Sequence, residues 1–189
     1  VHEILRGNFS NVSNGMTIDS LFDQILKVLG TSVQHDSEFA SLSDKLEDVP
    51  EIILQNDFAI EYLFRKSGLQ ISSDVKEDYI SSVFFHYGSA RAESGDIQKY
   101  SGDLLARISF GDSRVHVKRK LGLIPVRTVS RNQEVQEHYF MEPLEIWFMF
   151  GSTDELKSVH IWHERWLCAY NTDWKRDAQL RTKQSDKSC

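Results

Sequence analysis

Cysteine is nearly missing from this chain. Cys168 and Cys189 are the two among 189 residues, 21 positions apart, and the second ends a polar tail. Such a pair predicts no disulfide framework; Cys168 reads as a half-buried thiol and Cys189 as an exposed one. Long apolar runs are missing too: the longest, near Ile146 to Phe150, falls far short of the roughly 20 residues needed to span a bilayer as a helix. No serine sits in a nucleophile elbow and no glycine-rich loop could cradle a phosphate, because Gly111-Asp112-Ser113 reads as the start of a helix. Basic excess is also absent, with 22 Lys and Arg against 28 Asp and Glu and a net charge of −6. The tail from Asn171 to Cys189 has five basic and three acidic residues, a net +2, which leaves −8 on the body. An acidic body argues against nucleic-acid backbones, which need clustered Lys and Arg. It is compatible with a basic protein partner and equally with charge that only keeps the chain soluble.

Hydrophobic content of 40% and charged content of 26% are those of an ordinary globular protein. A chain of this length buries roughly 70% of its unfolded surface without staples. Opening at Val1 rather than Met, the sequence implies that a leading piece has been removed. A cytoplasmic location in a bacterium is expected, or a periplasmic one if that piece was a signal peptide. Asn8-Phe-Ser and Asn11-Val-Ser match the glycosylation sequon, a motif short enough to arise by chance.

The most informative stretch runs from Pro143 to Trp166 and reads as a hairpin. Leu144 to Phe150 alternates, Gly151 to Glu155 supplies turn chemistry, and Val159 to Trp166 alternates again. Period-2 geometry puts Ile146, Phe148 and Phe150 on one face, and Glu145, Trp147 and Met149 on the other. Val159 and Ile161 likewise oppose His160, Trp162, Glu164 and Trp166. One face reads as core, and the other is aromatic, charged and histidine-bearing; whether helices cover that second face is open at this level.

Residues 1–16 have no period and read as an irregular entry segment. Thr17 is placed to cap a helix carrying Leu21, Ile25, Val28 and Leu29, with Gly30 as its left-handed stop. A second helix is expected from Ser37 to Leu46, ended by Pro50. Strands are expected at Phe58 to Arg65, from Leu69, and at Tyr79 to Tyr87. The stretch 89–102 reads as a linker. Asp112 is then placed to cap a helix from Ser113 to Leu121, before strands near Gln136 to Met141, Leu144 to Phe150 and Lys157 to Leu167. The halves correspond: Leu29-Gly30 with Leu121-Gly122, Tyr62 with Tyr139, Leu69-Gln-Ile71 with Leu144-Glu-Ile146, and Ile80-Ser-Ser-Val83 with Leu156-Lys-Ser-Val159. This predicts an α+β protein of two tandem helix-then-antiparallel-meander units, 17–88 and 103–170, helices packed on one face of the sheet, then a polar tail at 171–189.

The segment Tyr100 to Gly122, with its Asp112-Ser-Arg helix start and Leu121-Gly122 end, resembles a recurring bacterial pattern that Leu26-Lys-Val-Leu-Gly30, Glu61-Tyr-Leu-Phe and Gly68-Leu-Gln-Ile also fit. The pattern is that of immunity-type and uncharacterised proteins of polymorphic toxin systems, and it covers most of residues 20–165. This chain departs from it at Leu123-Ile-Pro125, with two residues rather than one between glycine and proline. The paired units also resemble the β-lactamase-inhibitor protein and small outer-membrane assembly lipoproteins. These resemblances imply a protein-binding module that neutralises a cognate toxin, with no catalytic residues, no metal and no cofactor.

Its binding residues would be Trp147, Met149, His160, Trp162, Glu164 and Trp166, since aromatics gathered on one open sheet face mark interfaces. His160-Ile-Trp-His163-Glu164 is the one metal-like run. Its histidines are three apart on a strand, however, so they point to opposite faces and cannot share an ion without a bulge. Two other readings stand beside the binding module. One is a hydrolase using His86, His138, His160, His163 and Glu164; the other is an envelope assembly scaffold.

Overall fold

The computed structural model describes residues 21–33, 37–91 and 95–164. Two helices come first, α1 (Leu21–Val28) and α2 (Ser37–Leu46), followed by four strands: β1 (Glu51–Gln55), β2 (Ala59–Phe64), β3 (Leu69–Asp74) and β4 (Tyr79–His86). A two-stranded ribbon of β5 (Ser89–Arg91) and β6 (Gly95–Ile97) lies within the stretch read as a linker. After a 3-10 turn at Leu105–Arg107 come α3 (Arg114–Leu121) and four more strands: β7 (Arg127–Arg131), β8 (Glu134–Met141), β9 (Leu144–Phe150) and β10 (Leu156–His163).

The eight long-range strands form one sheet in the order β1-β2-β3-β4-β10-β9-β8-β7. This overturns the expectation of two tandem helix-then-meander units in an α+β fold. The molecule is dominated by a single antiparallel sheet, with three short helices among the described residues. The reason lies at the centre: β4 pairs with β10 from Ser82↔Trp162 to His86↔Ser158, so neither half has a free inner edge and both share one core. Two edge strands also lay outside the sequence reading. β1 is exposed along its whole length and β7 nearly so, and a strand with no buried face has no alternation to read.

Apolar rows cross the inner strands of the sheet on one face. In register stand Phe64, Leu69, Phe85, Val159 and Phe148, and beside them Tyr62, Ile71, Val83, Ile161, Ile146 and Tyr139. The helices bury this face. Phe22 and Ile25 of α1, Phe39 and Leu42 of α2 and Val117 of α3 join the same cluster, with Phe22 stacked on Phe85 at 5.5 Å and Phe39 edge-on to Tyr62 at 5.2 Å. Each such fully buried side chain contributes roughly 1.5–3 kcal/mol.

Helix α3 departs from the sequence reading at its start, where Ser113 rather than Asp112 is the N-cap and its side chain accepts from the His116 N–H. Asp112 instead accepts from the Ser109 N–H and from Lys120 Nζ. Gly122 ends the helix at φ 65°, its N–H donating to the Lys118 carbonyl. Side chains of α3 also reach a buried carboxylate. Glu137 of β8 is fully buried, 2.8 Å from Lys118 Nζ and 3.8 Å from Arg114 Nε, and accepts from the Tyr139 hydroxyl at 2.8 Å. Burial, then the Glu137 carboxylate beside it, pushes the Tyr139 phenol well above its ordinary pKa. No helix of the described residues is long and apolar enough to cross a membrane.

Candidate functional site: the aromatic and histidine face

The face opposite the helices carries a different row. Across the sheet stand Leu63, Gln70, Phe84, His160, Trp147, His138 and Arg127, each in register with the next. Strand alternation forces this, since every residue of the row but Arg127 lies one step from a core residue along its own strand. The rings meet one another: Phe84 and His160 at 5.1 Å, His160 and Trp162 at 4.2 Å, Trp147 and Trp162 at 5.4 Å, Trp147 and His138 at 4.6 Å. None of Phe84, Trp147, Met149 and Trp162 belongs to the helix-packed cluster.

Of the residues singled out from the sequence, Trp147, His160 and Trp162 come together in this patch, all half-buried. Met149 lies on the same face of β9, paired across to Ser158 of β10 and Gln136 of β8, and is also half-buried. Glu164 follows the last residue of β10, half-buried, its backbone N–H donating to the Pro143 carbonyl. Trp166 lies outside the described residues, as do Thr17, the sequons, both cysteines and the tail.

His160 sits where β10 meets β4, its Nε2 3.3 Å from Ser82 Oγ. Burial, and secondarily the charge of nearby His86, pushes its pKa down to about 3. The imidazole is therefore neutral at physiological pH. His86 lies on the same face, its ring 4.4 Å from Phe84. His163 is on the other side, edge-on to Tyr79 and against Gly30. That glycine has φ +82°, and a Cβ there would lie 2.8 Å from His163 Nε2. The two histidines of the metal-like run thus part to opposite faces. No group of three His, Cys, Asp or Glu among the described residues is placed to hold a metal.

Glu145 and His138 form a buried pair on this face. Glu145, which alternation places on the charged face beside Trp147, is 1% exposed, and its Oε1 lies 2.8 Å from Nδ1 of His138, itself 6% exposed. The other polar atoms of the pair, Glu145 Oε2 and His138 Nε2, are buried without a hydrogen-bond partner, and so is Trp147 Nε1. The alternation of Gln136, His138 and Phe140 could have placed His138 on this face. The expected meander also places β8 beside β9, joined through residues 142 and 143, so the neighbourhood of His138 and Glu145 was within reach; their burial was not.

No family model matches the chain, and no curated protein matches it. Solved structures do. An extracellular protein containing an SCP domain from Bacillus anthracis aligns with 82% of this chain at 12% identity and a TM-score of 0.52. The chain spans about half the length of that protein, 51%. At such coverage the likeness runs through both halves of the sheet, as a single sheet requires. A DUF4309-family protein from Bacillus subtilis aligns with 66% of this chain and 76% of its own length at 11% identity and a TM-score of 0.39. A cysteine-rich secretory protein from Staphylococcus aureus aligns with 75% of this chain and 46% of its own at 12% identity and a TM-score of 0.44.

Proposed function

We propose that this chain is a non-catalytic protein-binding module that takes its partner on the face carrying Trp147, Met149, His160, Trp162 and Glu164. The observation that supports this is the contiguous ring patch of Phe84, His160, Trp147 and Trp162, which lies on the opposite side of the sheet from the helix-packed core. Half-buried aromatics gathered on a flat sheet face anchor partners, because large rigid rings contribute contact area at little entropic cost. The net charge of −6 suits a partner with a basic surface.

The state of the histidines favours binding over proton transfer. An imidazole pushed down to about 3 is a poor proton acceptor near neutral pH. His138 and His86 stand on the same face, but His163 is on the other. The narrower reading, a bacterial immunity protein acting in the cytoplasm on a cognate toxin, rests on the resemblance of residues 20–165. The test is co-expression with each toxin encoded beside the gene, scored by growth rescue and pull-down. Rescue that is lost in Trp147→Ala and Trp162→Ala, assayed where both remain folded, is the expected result. Failure of wild-type chain to rescue or bind any of those toxins would overturn the immunity reading. Full binding by both tryptophan variants would remove this face as the site.

A further inference from the structure

We propose that α3 and the connection leading from it to β7 form a docking surface for an anionic lipid bilayer, with Leu123 and Ile124 entering the headgroup layer beside flanking cations. Charge is unevenly placed along the chain. From the 3-10 turn at Leu105–Arg107 to the end of β7 at Arg131 stand seven Lys and Arg against Asp112 alone, a net +6, which leaves −12 on the remainder. Three acids from later in the chain border this stretch: Glu137 and Asp154 through ion pairs with Lys118 and Arg114, and Glu134 in register with Arg131. With these counted, the surface keeps +3. Arg119 is exposed on the outer side of α3, and no ion pair holds its guanidinium among the described residues.

Apolar side chains stand in the same place. Val115 is 68% exposed one turn before Arg119 on α3, and Leu123 and Ile124, just past the helix, are 40% and 88% exposed. A lone exposed apolar residue is ordinary, but three gathered among cations are not. The connection is held at both ends, the Gly122 N–H donating to the Lys118 carbonyl and the Val126 N–H to the His138 carbonyl. Space around the helix end is open: a Cβ on Gly122 would meet no described atom within 4 Å. The apolar turn is therefore presented outward in a fixed form. Together the two chemistries select the occupant. Cations near an anionic membrane strengthen binding roughly fivefold per Lys or Arg, while Leu and Ile gain by leaving water for the acyl boundary. A nucleic-acid backbone would use the cations only. The −12 on the remainder repels the same membrane, so the chain meets it by this surface, and beyond a Debye length of about 8 Å at physiological salt that repulsion is screened.

The experiment is co-sedimentation of the full chain with vesicles of phosphatidylcholine alone or with about one third phosphatidylglycerol, at low and at high salt. Binding is expected to the anionic vesicles only, and it should weaken as salt rises. Ile124→Asp should lower the affinity about tenfold, and Arg119→Glu, which reverses a charge, by about as much or more. Both positions are exposed, so the far-UV circular dichroism spectrum should not change. Ile52→Asp on β1, at the far edge of the sheet from β7, and Lys45→Glu on α2 make the same changes elsewhere and should leave binding as it is. No binding to anionic vesicles, equal binding to phosphatidylcholine alone, equal losses in the two control variants, or an Ile124→Asp variant that binds as wild type does would each overturn the proposal. So would tighter binding to a DNA duplex that Arg119→Glu abolishes and Ile124→Asp does not, the behaviour of a surface for phosphate backbones. Trp147→Ala, on the aromatic face, should bind vesicles as wild type does, so this surface and the partner-binding face can fail independently.

Discussion

His138 Nδ1 and Glu145 Oε1 stand 2.8 Å apart at the join of β8 and β9, the imidazole also lying against the ring of Trp147 at 4.6 Å. A nearly fully buried carboxylate with one hydrogen-bond partner depends on that partner. Replacing His138 by Ala should therefore cost about 1–3 kcal/mol, the penalty for leaving a buried polar group unmatched. Urea denaturation of His138→Ala, Glu145→Ala and the double variant checks this. The double variant should lose less than the sum of the singles, because it strands neither group.

His160 gives a pH dependence of definite sign. Its folded-state pKa is depressed, from 6.5 to about 3, so the unfolded chain binds a proton that the folded chain refuses. This contribution to stability is fully present above pH 6.5 and is lost as pH falls through the window down to about 3. Carboxylates titrate in the same range, so the measurement is a difference. The stability of wild type minus that of His160→Gln should fall as pH drops from 7 to 4, and a flat difference would show that His160 titrates normally.

Lys118 is 40% exposed at its side chain, yet it ends 2.8 Å from a carboxylate that is fully buried. Lys118→Met keeps the aliphatic stem and leaves Glu137 with Tyr139 and the more distant Arg114. A loss of about 1–3 kcal/mol is expected. Lys157→Met removes a pair whose partner, Glu155, is itself exposed at 47% and should cost less than Lys118→Met does. Thermal melts of the two variants side by side give the comparison.

On the aromatic face, Trp147→Ala and Trp162→Ala should each weaken a bound partner by about 2 kcal/mol or more, as truncated tryptophan anchors do. Glu145→Gln should act through stability rather than through association rate, because Glu145 is buried and bonded to His138. Stopped-flow association at two salt concentrations separates those effects.

The hairpin was legible because both of its strands alternate: Leu144–Phe150 is β9, Gly151 to Glu155 makes the turn with the Gly151 N–H donating to the Glu155 carbonyl, and Leu156–His163 is β10. The same alternation separated Ile146, Phe148 and Phe150 from Trp147 and Met149, and the spacing of Ile25 and Val28 gave the buried side of α1. These are local properties, fixed by the period of the backbone. Three things were decided only by tertiary structure. The pairing of β4 with β10 turned two expected units into one sheet, since Val83 and Ile161 hold no record of each other in a single sequence. Burial of the Glu145–His138 pair was another, since alternation and the β8–β9 hairpin can put the two side by side but do not say that the pair lies out of solvent. Strands β1 and β7 formed because β2 and β8 offered free hydrogen-bonding edges, and such edges recruit a strand through the backbone, whose chemistry is the same at every residue.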